Sequence, residues 1–176
     1  DLDCMAKLLR PFCDKHIPIL WRPFHESEGN WFWWGSKGPE TARALFRFQY
    51  HYFTEKHALN NLIWVFNSPL KKGYVGDTYC DIISMDMYPK PHCHGDFHEN
   101  YQKLSQVTSA AKGAAIAETG ILPDANALAQ SHIPWLWYMT WSNDFVLTEN
   151  FNSFDALKQL YQHPYAITLD RLPKLY

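Results

Sequence analysis

Two glutamates stand where acid–base chemistry is easiest to build. Glu26 lies in "WRPFHESEGNWFWWG", residues 21–35, and Glu118 lies in "AIAETG". Each follows a short apolar run of strand length. Paired carboxylates of this kind suit glycoside hydrolysis, one serving as acid and then base, the other as nucleophile or water activator. Arg22 precedes Glu26 in "RPFHE". Period-two alternation along an extended strand puts Arg22, Phe24 and Glu26 on one side. A cation there favours an ionised glutamate, and a structural ion pair is the alternative. His25 is positioned to orient a carboxylate or bind a hydroxyl, and is equally at home as a structural histidine. Tyr88, two residues after Asp86 in "DIISMDMY", offers a phenol to a carboxylate or serves as a rim aromatic. Trp31, Phe32, Trp33 and Trp34 crowd flat aromatic surface beside Glu26, fit either for a sugar's C–H face or for a core.

The segments around these residues have to position them. Helical spacing predicts helices over 2–15, 39–58, 98–112, 124–131 and 153–162, the last capped by Asn152 or Ser153. Apolar runs predict strands over 17–24, 61–67, 81–88, 114–118 and 133–141. Near-continuous apolar strands alternating with amphipathic helices indicate a parallel sheet covered by helices. Polar or aromatic residues close each strand: Glu26, then Asn67, Asp86 with Tyr88, Glu118, and Trp141 with Asn143. In (β/α)8 barrels functional groups sit at the C-terminal ends of strands, and open α/β sheets share that polarity. The strands fall short of a full barrel, which takes about 250 residues. The expected fold is therefore α/β, a (β/α)8 TIM barrel truncated to roughly strands 4–8, with residues 1–176 a single catalytic-domain segment.

Composition narrows the partners. With 176 residues, 16 Lys and Arg against 18 Asp and Glu, and no basic block, nucleic acid and anionic membrane surfaces are poor partners. No apolar run is long enough to span a bilayer, and the opening "DLDCMAKLLRPF" has no signal-peptide pattern. The four cysteines form no CxxC pair and read as free thiols. Aromatic residues make up 16% of the chain, eight of them tryptophan, which is unusual enough to direct attention to flat-faced ligands.

In order, "RPFHE", "GNWFWWG", "NLIWVFN", "DIISMDMY", "AIAETG" and "WYMTW" resemble glycoside hydrolase family 26, and the closing "HPYAITLDRLPKLY" is similar to the tail of its bacterial mannanase domains. The resemblance implies a (β/α)8 barrel with the acid/base after strand 4 and the nucleophile after strand 7. It also implies a retaining mechanism and, most often, endo-acting hydrolysis of β-1,4-mannan. Some members cut mixed-linkage β-glucan or β-1,3-xylan instead. Matched by motif, Glu26 is the acid/base and Glu118 the nucleophile. His25, Trp31, Tyr88, Asp86 and Trp141 match substrate-cleft positions, with Trp141 a platform at the cleaved sugar, and Arg22 joins them as a substrate-binding candidate. A retaining pair stands about 5–5.5 Å apart. No cofactor and no metal is implied, and the substrate would be a polysaccharide, so the parent protein is expected to be secreted or periplasmic.

Two rival readings differ in class. "PHCHGDFH" gathers His92, Cys93, His94, Asp96 and His98, ligand types that suit zinc, but in none of its usual spacings. A non-catalytic carbohydrate-binding barrel would be marked by loss of one glutamate, and both are present. Expressed alone, residues 1–176 would leave two sheet edges unpaired. Such a segment is expected to be poorly soluble or inactive, which expression and a mannan assay would check.

Overall fold

The structure, a computed structural model, describes residues 1–173. The last three residues of the closing motif, 174–176, lie outside the described residues. The chain forms two compact units. One comprises Asp1–Met85 and Gln102–Ala115, and the other comprises Asp86–Tyr101 and the residues from Ile116 onward.

In the first unit, helix α1 (Leu2–Asp14) leads to strand β1 (Ile19–Trp21), helix α2 (Pro39–His51) and strand β2 (Leu62–Asn67). Proline at the first position of α2 loses nothing by lacking an N–H there. A widened helical turn, Tyr52–Lys56, carries α2 onward, as the long helix expected over 39–58 requires. Strand β3 (Ile82–Met87), helix α3 (His98–Ser105) and strand β4 (Gly113–Thr119) pass through both units. The second unit continues with α4 (Ala125–Ser131), β5 (Trp135–Thr140), α5 (Asp144–Leu147) and α6 (Phe154–Gln162).

The strand order is β1-β2-β3-β4-β5. Strand β1 pairs in parallel with β2, Trp21 opposite Trp64, and β2 with β3, Asn67 opposite Ser84. Parallel neighbours need a crossover between them, which the intervening helices and loops supply. A doubly wound sheet reverses its strand order at a switch point. Here spatial order follows chain order throughout, as in the wall of a (β/α)8 barrel. Trp64, Val65 and Phe66 of β2 are buried, with Phe46 of α2 against Trp64 at 5.5 Å between ring centroids. Apolar side chains of the terminal strands, Leu20 of β1 and Leu136 of β5, are exposed.

Three elements differ from the sequence reading, each for a local reason. Strand β1 covers only three of the residues 17–24. Pro18 and Pro23 cannot donate to a ladder, and Phe24 and Glu26 adopt left-handed backbone, φ +53° and +50°. The alternation that put Arg22, Phe24 and Glu26 on one side therefore does not hold. Helix α3 stops at Ser105, well before residue 112, because the following side chains serve other partners. Thr108 bonds Asp77 and accepts from Ala110 N at 3.0 Å, while Lys112 Nζ donates to the carbonyls of Asp77 and Cys80 at 2.9 and 2.7 Å. Such side-chain bonds compete with helix. Helix α5 is a single turn that the apolar pattern did not signal.

The four cysteines are free thiols, Cys13 and Cys80 buried, Cys4 and Cys93 exposed. Among the described residues no helix is long and apolar enough to cross a membrane. Ser153, rather than Asn152, caps α6, accepting from Ala156 N at 3.1 Å. Asn152 is fully buried and does more. Its Oδ1 accepts from Leu122 N at 2.9 Å, and its Nδ2 donates to Gly120 O at 2.8 Å and to Phe145 O at 2.9 Å. Asn152→Ala would strand these backbone groups out of water, and a loss of about 3 kcal/mol is expected in urea or thermal unfolding.

Candidate active site

Glu118 is the penultimate residue of β4 and is buried, 4% exposed. Tyr88, just past the end of β3, donates its phenol to Glu118 Oε2 at 3.1 Å. The small residue after Thr119 makes this possible. A Cβ at Gly120 would meet Phe145 at 2.6 Å and Tyr88 at 2.8 Å, so any larger residue pushes the phenol ring from its carboxylate. Gly120 is fixed in turn by its N–H to Met87 O at 3.2 Å and by Asn152 on its carbonyl. Trp141 is tied to the same strand end, its N–H donating to Thr119 O at 2.9 Å, with its side chain half exposed. Asp86 sits on β3 two residues before Tyr88. In this unit the structure brings Tyr88 and Glu118 into contact and fixes Trp141 to the backbone beside them.

The other carboxylate is built differently. Glu26 lies beyond β1 in a turn, and its left-handed φ of +50° costs a side-chain-bearing residue about 1–2 kcal/mol. The turn is held by Asn67 at the end of β2, whose Oδ1 accepts from Glu26 N at 2.9 Å. Asn67 Nδ2 donates to Ser84 Oγ at 3.1 Å, and Ser84 Oγ donates to Phe66 O at 3.0 Å, so the holder is itself held. Trp31 Nε1 donates to Glu26 Oε2 at 2.8 Å, which fixes the carboxyl's rotation. Gly29 is needed here as well, because a Cβ there would lie 2.2 Å from the Trp31 ring.

The aromatic run divides by role. Phe32 stacks on Trp34 at 4.4 Å and 15°, and Trp34 Nε1 donates to His25 O at 2.8 Å. These two rings are packing, and they carry the His25 ring, 4.8 Å from Phe32. Trp31 and Trp33 are 62% and 69% exposed and present open faces. Arg22 lines an apolar hollow with Trp21, Phe24, Trp33 and Trp34.

Sequence reasoning missed three supporting residues. Asn67 was visible only as a polar strand end, Gly120 only as part of "AETG", and Asn152 only as a possible cap. A fourth is Glu28, whose carboxyl burial pushes above the ordinary 4.5. The histidine-rich loop has local duties: His94 Nδ1 hydrogen-bonds Leu122 O at 2.9 Å, and Asp96 Oδ1 accepts from His98 N at 3.1 Å. Among the described residues no three His, Cys, Asp or Glu side chains group to hold a metal ion.

The family model for glycosyl hydrolase family 26 matches residues 1–171. The chain belongs to that family. A mannan endo-1,4-beta-mannosidase from Thermothelomyces thermophilus is 38% identical over 172 residues, covering 98% of this chain and 35% of the relative. Mannan endo-1,4-beta-mannosidase B from Piromyces is 30% identical over 98% of this chain and 30% of its own length. Among solved structures, the Podospora anserina GH26-CBM35 β-(1,4)-mannanase superposes with a TM-score of 0.88 at 38% identity, over 97% of this chain and 38% of that one. A β-mannanase from a symbiotic protist of the termite Reticulitermes speratus, complexed with gluco-manno-oligosaccharide, gives 0.89 at 32% identity, over 98% and 54%. The chain thus spans about a third of the length of these curated relatives. Its strands correspond to part of a (β/α)8 barrel.

Asn67→Ala would free the Glu26 turn to leave its left-handed backbone. A loss of about 1–3 kcal/mol is expected in urea or thermal unfolding of the protein that carries this chain.

Proposed function

We propose that this chain is the part of a retaining glycoside hydrolase that supplies both catalytic carboxylates, and that the enzyme cuts β-1,4-mannan internally. The observation that carries the reading is the buried Glu118 carboxylate at a strand end, oriented by the Tyr88 phenol. A phenol donor fixes the orientation of the carboxyl, as a nucleophile requires. The indole bond from Trp31 to Glu26 supports the companion role, because it sets the direction from which Glu26 can deliver a proton.

In the first step Glu118 attacks the anomeric carbon, the glycosidic C–O bond breaks, and Glu26 protonates the departing oxygen. A glycosyl ester on Glu118 results. In the second step Glu26 takes a proton from water, the water oxygen attacks the anomeric carbon, and Glu118 leaves as carboxylate. Trp31 and Trp141 offer faces for sugar rings, while His25, Asp86 and Arg22 serve as hydroxyl-binding groups. Mannan is favoured because the similar curated proteins are named for it. A polymer of that size also implies that the enzyme works outside the cytoplasm.

The test is hydrolysis of mannan against mixed-linkage β-glucan and β-1,3-xylan by the protein that carries this chain, with product anomers followed by NMR. Retention on mannan is expected. Glu118→Ala should lower kcat by about 10³-fold or more, and added azide should restore turnover of an activated aryl glycoside to Glu26→Ala, because azide attacks the glycosyl ester without needing a general base. Inverted product, or full activity in Glu118→Ala, would remove the mechanism. Preference for either other glycan would reassign the substrate.

A further inference from the structure

Glu28 takes no part in the double displacement, yet its carboxyl is set in an unusual place. Its Oε2 is buried and has no hydrogen-bond partner. The Ser68 hydroxyl bonds the carboxyl, which leaves Oε1 as the acceptor. Ser68 is itself fixed: its N–H donates to Ser84 O at 3.1 Å, and its Oγ accepts from Leu70 N at 3.2 Å. Ser68 directly follows Asn67, so the turn bearing both glutamates is latched to consecutive residues at the end of β2. Glu26 gains a backbone latch through Asn67, and Glu28 a side-chain latch through Ser68.

An ionised Glu28 would bury an unsatisfied anionic oxygen close to a second carboxyl, that of Glu26. The neutral acid carries no charge to desolvate or to repel, so it is the less costly form in this place. We propose that Glu28 is a positioning residue whose neutral carboxylic acid form fits the turn, and that its ionisation loosens the 25–31 turn and draws Glu26 and Trp31 out of their working geometry. The net balance of influences on it favours the neutral form. Desolvation is the largest influence and raises it, the backbone bond of Glu28 itself and the Ser68 hydroxyl oppose, Glu26 raises it further, and Lys103 of α3 opposes weakly. A carboxyl raised in the folded state stabilises the turn fully below its unfolded value and ceases to do so as pH rises through the folded value. The turn should therefore weaken on the alkaline side.

The consequence for catalysis rests on Glu26 being the acid/base. The protonation state and the response of Trp31 do not, so the test has two arms. In the first, infrared difference spectra of the parent protein against Glu28→Gln, followed through a pH titration, should show a protonated-carboxyl band that persists above the ordinary glutamate range and that the variant lacks. Ser68→Ala removes a bond that favours the ionised form and should move that band's titration to higher pH. No band difference, or an unmoved titration, overturns the proposal even if the enzyme is a mannanase. In the second arm, the Trp31 indole N–H resonance, assigned with Trp31→Phe, should lose one alkaline transition in Glu28→Gln. The alkaline limb of kcat/KM should move upward by about half a pH unit or more. Identical profiles overturn the positioning role, and inactivity on every glycan strikes the proposed function while leaving the infrared result standing.

Discussion

The hydrogen bond from the Glu26 N–H to Asn67 Oδ1 joins an irregular turn to a regular sheet. A carboxylate that is to transfer a proton, the role proposed for Glu26, has to be held to within a fraction of an ångström, and a loop by itself does not do that. Here the precision comes from parallel register. Asn67 is the last residue of β2 and lies opposite Ser84 of β3. That pairing puts the Asn67 amide within reach of the Ser84 hydroxyl on one side and the Glu26 backbone on the other. The left-handed backbone of Glu26 is unfavourable alone and persists because this network, with the indole of Trp31, over-determines it.

Glu118 reaches similar fixity by burial. It ends a strand whose residues from Ala114 to Thr119 are buried, so its backbone needs no loop support. What needs support is the Tyr88 ring, and that depends on the missing side chain of Gly120 and on the three bonds made by Asn152. The two carboxyls thus rest on opposite strategies, one a strained turn latched to a strand end, the other a strand end kept clear by a glycine. Both place polar groups at the C-terminal ends of parallel strands, where the main-chain ladder stops and side chains are free to turn toward a ligand.

Much of this was legible in the chain. Strands β2 to β4 announce themselves by apolar runs, because strands buried on both faces have no polar side to display. Helix α2 shows its Pro start and its 3.6-residue stripe. Glu26, Glu118 and Tyr88 are visible as polar or aromatic residues just where such runs end. Less legible were β1, cut short by proline and positive φ, and α3, whose tail is claimed by Asp77 and by the carbonyls that Lys112 binds. The division within "WFWWG" was also hidden: four neighbouring aromatics look alike in sequence, yet Phe32 and Trp34 stack while Trp31 and Trp33 stay open.

The sequence by itself determined the alternation of elements, the parallel α/β class, and which residue types stand at the strand ends, because hydrophobic period and breaker residues act locally. Tertiary structure alone decided that Asn67 holds Glu26, that Gly120 makes room for Tyr88, that Asn152 ties three backbone groups, and that one oxygen of the half-buried Glu28 is shut away without a partner. Each of these joins residues distant in the chain, or depends on how much water a fold excludes. Neither distance nor dryness is written in the spacing of residues along a strand.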